Sequence, residues 1–309
     1  MNKINIDIVI PVKNCSLQFE NYLLAWCQQV VPLNVNFKII VVDDGSTNDR
    51  VSLIEEKNLA QNIIFIYAKK NGGRSKARNT GAMSGQGEYI LFVDADCIPL
   101  SKNILYEYSL VISKTQPDLL FGSLSSSKKN FWGRYFREVS LKRENDFIKG
   151  NKYSLTSANC VVKRNTFEDI HGFNEKYKKY GFEDRDLIIR LIKKGATSEF
   201  VKKAIVLHED TLSINSIYKK MHEASQFSAP IFIKNYPEIY KNMGFSKADF
   251  SQSNKFIKIF LLKSQNIEKI ILYIFNYLIN AHLAYSIKSF LIKILSAYAY
   301  ALGSIKRDF

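Results

Sequence analysis

Asp94 and Asp96 stand one residue apart at the end of Tyr89-Ile90-Leu91-Phe92-Val93, an uncharged run of the kind that forms a buried strand. Carboxylates at the C-terminal edge of a strand in an α/β sheet lie in the crevice where ligands bind. Hard oxygen donors of this type suit Mg2+ or Mn2+ carrying a diphosphate. The same residues also read as an Asp-x-Asp turn leading to a helix near Ser101. A second acidic group, Glu183, Asp184 and Asp186, opens a helical pattern through Leu187, Ile188, Leu191 and Ile192 that stops at Gly195. The helix dipole accounts for one or two acids in a first turn. A further one there projects beyond the helix end, as a general base must. His208 arrives at the end of a strand over Val201–Leu207; it reads either as a structural histidine or as the imidazole completing a carboxylate-bound Mn2+ site. His171, His222 and His282 read as structural.

The elements that must position these groups alternate. Ile4–Val12 is a buried strand with Pro11 near its end, and Ser16–Gln29 has helical spacing with Ser16 as its cap. Lys38–Val42 is a second strand, closed by the turn Asp43-Asp44-Gly45-Ser46, and a helix follows over Asn48–Leu59. Ile63–Ala68 is a third strand, Gly72-Gly73 breaks the chain, and a small-residue helix runs from Arg74 to Ser84. Strand and helix in alternation with short connections predict a doubly wound α/β fold with a mostly parallel sheet flanked by helices. Right-handed crossovers bring Pro11, Asp43, Asp44, Gly72, Arg78, Asp94 and Asp96 to one crevice. A helix over Ile104–Thr115 and strands at Leu119–Gly122 and Ser157–Val162 come next. Between those strands, the serine- and lysine-rich segment Ser123–Trp132 has no period and reads as a mobile loop or linker.

The chain of 309 residues, 46% hydrophobic and 24% charged, is long enough for a sizeable core. Its net charge of +15 points to an anionic partner. Basic residues are interleaved with apolar ones rather than blocked, which favours an anionic membrane surface over nucleic acid. The four cysteines lack metal-ligand spacing and read as reduced core residues. Met1 leads straight into the first strand without an apolar stretch behind a basic start, so no secretory signal is expected. A cytoplasmic catalytic domain, peripheral on the inner face of the cell membrane, follows as the expectation.

Val9-Ile10-Pro11-Val12-Lys13-Asn14, Val41-Val42-Asp43-Asp44-Gly45-Ser46, Gly73-Arg74-Ser75-Lys76-Ala77-Arg78-Asn79-Thr80-Gly81, Phe92-Val93-Asp94-Ala95-Asp96, and Gly172-Phe173 with Glu183-Asp184 stand in that order. Together they resemble the blocks of family 2 glycosyltransferases with the GT-A fold, over about residues 4 to 210. Gly181-Phe182-Glu183-Asp184-Arg185-Asp186 is similar to the acceptor-site block of chondroitin-polymerase-like and galactosyltransferase-like members, which typically have tryptophan where Phe182 stands. The resemblance implies that Pro11 and Asp44 border the nucleotide base, that Asp43 supports their turn, and that Arg78 contacts the nucleotide or its diphosphate. It places Asp94 against ribose and metal, and makes Asp96 and His208 metal ligands for Mn2+ or Mg2+. It makes Asp184 the catalytic base, with Glu183 near a sugar. The implied activity is metal-dependent, inverting transfer of a hexosyl or N-acetylhexosaminyl group. The donor is a nucleotide-sugar, UDP by default, and the acceptor a glycan or lipid-linked hydroxyl, as in surface polysaccharide synthesis. A nucleotidyltransferase would open with a glycine-rich phosphate loop, where this chain has Pro11-Val12-Lys13-Asn14-Cys15. The remaining alternative is a non-catalytic, membrane-peripheral scaffold, which has no need of so many acids in one crevice.

Three segments are expected: residues 1–210 as the nucleotide-sugar-binding catalytic domain, 211–254 as a helical connection, and 255–309 as an amphipathic helical tail. No residue between Lys269 and Lys288 is charged. Asn276 and Asn280 join Lys269 on one helix side, while Ser289, Lys293, Ser296 and Tyr300 form a second polar stripe. This pattern predicts two amphipathic helices lying in a membrane interface, or helices packing on the catalytic domain or another subunit.

Overall fold

The computed structural model describes residues 3–210 and 212–307; Met1, Asn2, Thr211, Asp308 and Phe309 lie outside the described residues. The chain divides into two compact units, residues 1–175 with 184–210, and residues 176–183 with 211–309.

In the first unit the strands are β1 (Ile4–Val12), β2 (Val35–Asp43), β3 (Ile63–Tyr67), β4 (Tyr89–Val93), β5 (Cys97–Pro99), β6 (Leu119–Ser125), β7 (Asn159–Lys163) and β8 (Ser198–His208). They form one sheet in the order β3-β2-β1-β4-β7-β6-β8-β5. The β1–β2, β2–β3, β1–β4 and β6–β8 pairs are parallel, and β4–β7, β6–β7 and β5–β8 are antiparallel. The helices are α1 (Phe19–Cys27), α2 (Arg50–Glu56), α3 (Arg74–Ser84), α4 (Ile104–Thr115), α5 (Phe131–Ile148), α6 (Arg164–Asp169) and α7 (Glu183–Lys193). The mixed α/β architecture expected of the sequence is thus present.

Strand alternation divides the core into two layers. Ile8, Ile10 and Val12 of β1 pack with Leu23 and Trp26 of α1 and Ile104, Leu105 and Tyr108 of α4. Val9, from the other side of the same strand, joins Phe92, Phe121, Phe147, Phe173 and Leu187. Each such side chain contributes about 1.5–3 kcal/mol on burial. Phe92 meets Phe173 edge-on at 5.2 Å, a geometry that adds to area burial.

Several local expectations need correction. Ser16 does not cap α1: the helix begins at Phe19 after Gln18, with no side-chain cap. The second helix ends at Glu56, short of Leu59, and Asn58 then takes a left-handed conformation at φ 49°. The segment expected to be a loop through Trp132 contributes to β6 as far as Ser125, and α5 starts at Phe131. Its remaining residues are tethered: the Arg137 guanidinium donates to the carbonyls of Ser126 (2.9 Å) and Lys128 (2.7 Å). That bond pattern is invisible to periodicity.

The second unit contains α8 (Ile214–Glu223), α9 (Ala229–Asn235), α10 (Pro237–Lys241), α11 (Lys255–Ser264), α12 (Glu268–Asn280) and α13 (Tyr285–Ile305). A reciprocal Ser213–Ser216 capping box starts α8, and a π-helical turn over Ala224–Ser228 joins it to α9. α13 packs along α8, so closely that a Cβ at Gly303 would overlap the His222 carbonyl. Ile292, Leu295, Ala299, Leu302 and Ile305 of α13 are buried. The polar stripe expected along this helix is divided: Lys293 is exposed, whereas Ser296 and Tyr300 turn to partners within the protein. Tyr300 is 1% exposed, its hydroxyl 2.8 Å from that of Tyr240, and Ser296 donates to the Ile292 carbonyl within its own helix. Polar side chains that find partners can face inward.

Candidate active site

Apart from Arg78, which lies within α3, the expected site residues lie at or just beyond the end of a strand or in the first turn of a helix. On the β1–β2 side, Asp43 accepts from the Ser46 backbone N–H (2.8 Å). Asn14, left-handed at φ 48°, accepts from the Thr47 backbone at 2.8 Å, while its own N–H donates to Ser46 Oγ. Asp44 accepts from the backbone N–H of Gly72 (2.7 Å) and Gly73 (3.0 Å), so its carboxylate braces the loop before α3. Gly45 sits at φ +68°, and a Cβ there would come within 2.7 Å of the Asn71 nitrogen; only glycine fits this turn. Pro11 is half-buried beside it, paired in register with Val42.

A second group forms around Arg78, which is 2% exposed. Its Nη2 donates to Asp94 Oδ1 at 2.6 Å, its Nη1 stands 3.8 Å from Asp184 Oδ1, and its guanidinium lies over the Phe173 ring, 5.3 Å from the centroid. Burial alone would raise the Asp94 carboxyl, but Arg78, Arg74 and His208 outweigh it and hold Asp94 below the usual carboxylate range. Asp184 also accepts a 2.5 Å hydrogen bond from the hydroxyl of Ser157, itself 1% exposed. The other acids of the cluster behave differently. Asp186 is spent on Arg190 (2.7 Å), whose guanidinium also donates to the Ile170 and Gly172 carbonyls. Glu183, the first residue of α7, is 5% exposed.

Asp96 and His208 form the third group. The short strand β5 places Cys97 opposite His208 on β8, and the Glu209 N–H donates to the Asp96 carbonyl at 2.8 Å. As a result His208 Nε2 stands 3.5 Å from Asp96 Oδ1. Burial raises the Asp96 carboxyl above its usual value; His208 opposes this and the Asp94 and Asp210 carboxylates add to it. Phe136 of α5 stacks on the His208 imidazole at 5.0 Å with a 24° interplanar angle. Lys128 Nζ donates to the carbonyls of Glu209 (3.1 Å) and Asp210 (2.7 Å). Sequence reasoning missed Phe136, Lys128 and Ser157, because nothing local marks a ring or hydroxyl as facing a distant strand end.

The donor set fits a hard divalent cation. One ligand atom each of Asp96, Cys97 and His208 lie within 4.8 Å of one another, and the half-buried carboxylates of Asp94, Asp96 and Asp210 act on one another, with the His208 imidazole offsetting Asp96. The 3.5 Å between Asp96 and His208 is short enough for both to reach an ion with ligand distances of about 2.1 Å. Burial holds the Cys97 thiol well above its usual pKa, so it stays protonated, and a thiol is the wrong donor for Mg2+ or Mn2+. His208 Nδ1 is buried without a hydrogen-bond partner among the described residues, leaving the ring oriented by Phe136 rather than by a second-shell acceptor.

Phe182, at the position where the acceptor-site block typically has tryptophan, is left-handed at φ 70°, directly after Gly181 at φ 100°. Its ring is 9% exposed and packs against Phe232 (4.8 Å), Phe245 (5.7 Å) and Tyr240 (6.2 Å). Burial in that cluster sustains a backbone conformation otherwise costly for an aromatic residue.

The family model of glycosyl transferase family 2 matches residues 7–171, more than half of the chain, and that of the N-terminal domain of galactosyltransferase matches residues 138–220. The chain belongs to glycosyl transferase family 2. It is 26% identical over 255 residues to YfnE, an uncharacterized glycosyltransferase of Bacillus subtilis, covering 66% of this chain and 64% of that one. It is 35% identical over 223 residues to the glycosyltransferase GlyA of Streptococcus pneumoniae, covering 69% of this chain and 30% of that one. The chain thus spans less than two thirds of the length of both relatives. Among solved structures, the mannosyltransferase PcManGT of Pyrobaculum calidifontis, in complex with GDP-Man and Mn2+, superposes with a TM-score of 0.60 at 14% identity, covering 96% of this chain and 86% of that one. S. aureus TarS 1–349 in complex with UDP-GlcNAc gives a TM-score of 0.54 at 18% identity, covering 97% of this chain and 90% of that one. At such identities the likeness is one of fold, the GT-A fold.

Proposed function

We propose that this chain is a divalent-metal-dependent, inverting glycosyltransferase. It moves a hexosyl or N-acetylhexosaminyl group from a nucleotide diphosphate donor, with UDP the default, to a hydroxyl of a glycan or lipid-linked acceptor in surface polysaccharide synthesis. Its station is the cytosolic face of an anionic membrane. The observation that carries the reading is the convergence of Asp96 and His208, 3.5 Å apart, beside the Arg78-linked carboxylates Asp94 and Asp184. The names of relatives and the nucleotide-sugar complexes of structural neighbours support it.

Asp96 and His208, with Asp94 beside them, would hold Mn2+ or Mg2+, which would supply positive charge against that developing on the departing diphosphate. Arg78 keeps Asp94 ionised. The Asp43 and Asp44 turn, with Pro11, forms the nucleoside side of the site. Asp184 takes the proton of the acceptor hydroxyl as its oxygen bonds to the anomeric carbon and the bond to the nucleoside diphosphate breaks. One displacement inverts the centre without a covalent enzyme intermediate. Ser157 orients the Asp184 carboxylate through its hydrogen bond, and Glu183 acts near the acceptor or donor sugar.

Thermal unfolding with UDP, GDP, CDP and dTDP, each with and without Mn2+, tests the site. A nucleotide at a hundredfold excess over its dissociation constant raises stability by about 2.7 kcal/mol. The expected result is a Mn2+-dependent rise with one nucleotide that disappears in Asp96→Ala. No rise with any nucleotide would favour the non-catalytic scaffold.

A further inference from the structure

The second unit leaves three faces of its last helices uncovered. α11 buries no residue and α12 buries only Ile279, although both pack on α13 and the Ser264 and Tyr298 hydroxyls tie α11 to α13 at 2.9 Å. The residues left outside are large and apolar: Phe256 is 84% exposed, Phe260 73%, Tyr273 73%, Tyr277 66% and Phe290 60%. Their spacing is helical. Phe256 and Phe260 share one side of α11; Ile270, Tyr273, Ile274 and Tyr277 share one side of α12; Ile287, Phe290 and Ile294 share one side of α13. A monomer in water has no reason to display such stripes on three adjoining helices.

The charge around them has one sign. Residues 255–309 contain eight Lys/Arg and two Asp/Glu. Among the described ones the sole carboxylate is Glu268, half-buried at the start of α12. Lys255, Lys263, Lys269 and Lys293 are exposed. Pairing this face with a second copy would set lysines against lysines. Among the described residues, no helix is long and apolar enough to cross a membrane. Aromatic residues with a polar edge beside lysines are the composition of a surface that lies in the headgroup layer.

We propose that α11, α12 and α13 form a docking face for an anionic lipid bilayer. Phe256, Phe260, Tyr273, Tyr277 and Phe290 enter the acyl boundary, and Lys255, Lys263, Lys269 and Lys293 meet lipid phosphates. The inference rests on the membrane-peripheral part of the proposed function and is independent of the sugar-transfer chemistry. Each lysine near an anionic surface contributes about fivefold to partitioning, from about 1 kcal/mol apiece, and that part weakens with salt.

The test is co-sedimentation of the full chain with phosphatidylcholine vesicles, with and without phosphatidylglycerol. Wild type is compared with F256S/F260S/Y273S and with K255Q/K263Q/K269Q/K293Q. The expected result is binding to anionic vesicles that falls at least tenfold in each variant, with circular dichroism and melting temperature unchanged because the altered side chains are exposed. Equal binding of wild type and both variants, or no binding by wild type, overturns the proposal. So does concentration-dependent self-association in sedimentation velocity that the aromatic variant abolishes, without vesicle binding; that outcome assigns the face to a second copy. Nucleotide- and Mn2+-dependent stabilisation, measured on the same variants, reports the catalytic reading separately and stays intact if only the docking face has been misread.

Discussion

Arg78 Nη2 lies 2.6 Å from Asp94 Oδ1, and the arginine is almost wholly buried. A guanidinium in that position is a fixed cation of the scaffold, set between the strand-end carboxylate of Asp94 and that of Asp184 in the first turn of α7. Removing one partner of a buried pair strands the other charge and costs about 3–5 kcal/mol; Asp94 retains 27% exposure, which points to the lower end. Arg78→Met should therefore lower stability by about 3 kcal/mol in urea denaturation and also abolish the nucleotide-dependent rise in melting temperature. A variant of wild-type stability that still binds nucleotide would remove Arg78 from this role.

Asp184 and Ser157 should separate by magnitude. Asp184→Asn loses the base and should reduce transfer by roughly 10²–10⁴ while leaving nucleotide stabilisation intact. Ser157→Ala deletes one hydrogen bond to a charged group, about 1.5–3 kcal/mol, and should lower kcat about tenfold with KM little changed. Steady-state kinetics with the identified donor decides it, and near-normal transfer by Asp184→Asn would refute the base assignment.

His208 and Phe136 make a related pair. His208→Ala should remove Mn2+-dependent stabilisation by nucleotide. Phe136→Leu, which keeps apolar volume but not the flat face stacked on the imidazole at 5.0 Å, should weaken the apparent Mn2+ affinity about tenfold, within the 10–100-fold range for groups that orient a ligand. Manganese titration followed by melting temperature provides the measurement, and identical curves for wild type and Phe136→Leu would count against the stacking role.

In the second unit, Asp249 links pH to stability. Burial alone raises its carboxyl, but hydrogen bonds from Tyr240 and Ser251 and the charge of Arg307 outweigh it and leave the group below its ordinary value. A carboxylate depressed on folding contributes stability that is complete above its unfolded pKa, about 3.9, and lost as pH falls through the folded one. Wild type should therefore exceed Asp249→Asn in stability at pH 6, and the gap should narrow below about pH 4. A gap constant between pH 2 and pH 6 would contradict the linkage.

The sequence by itself determined the repeating strand and helix, the bounds of α3 and β4, and the acids at strand ends. Continuous apolar runs report local burial, and small-residue helices and glycine breaks are local signals too. Its block order also identified the family. Only the tertiary structure decided which of those acids meet. A three-residue strand, β5, has no periodicity to read, yet its pairing with β8 sets His208 beside Asp96. The block resemblance implies that Arg78 contacts the nucleotide or its diphosphate; that Asp94, Asp184 and Phe173 close around its guanidinium is visible only in the folded chain. The apolar pattern of the C-terminal helices likewise identified amphipathic elements without saying which face would be used. Tyr300 turned inward to Tyr240 while Phe256, Tyr273 and Phe290 stayed outside. Periodicity records that a side needs covering, whereas the partner that covers it comes from contacts between residues far apart in the chain.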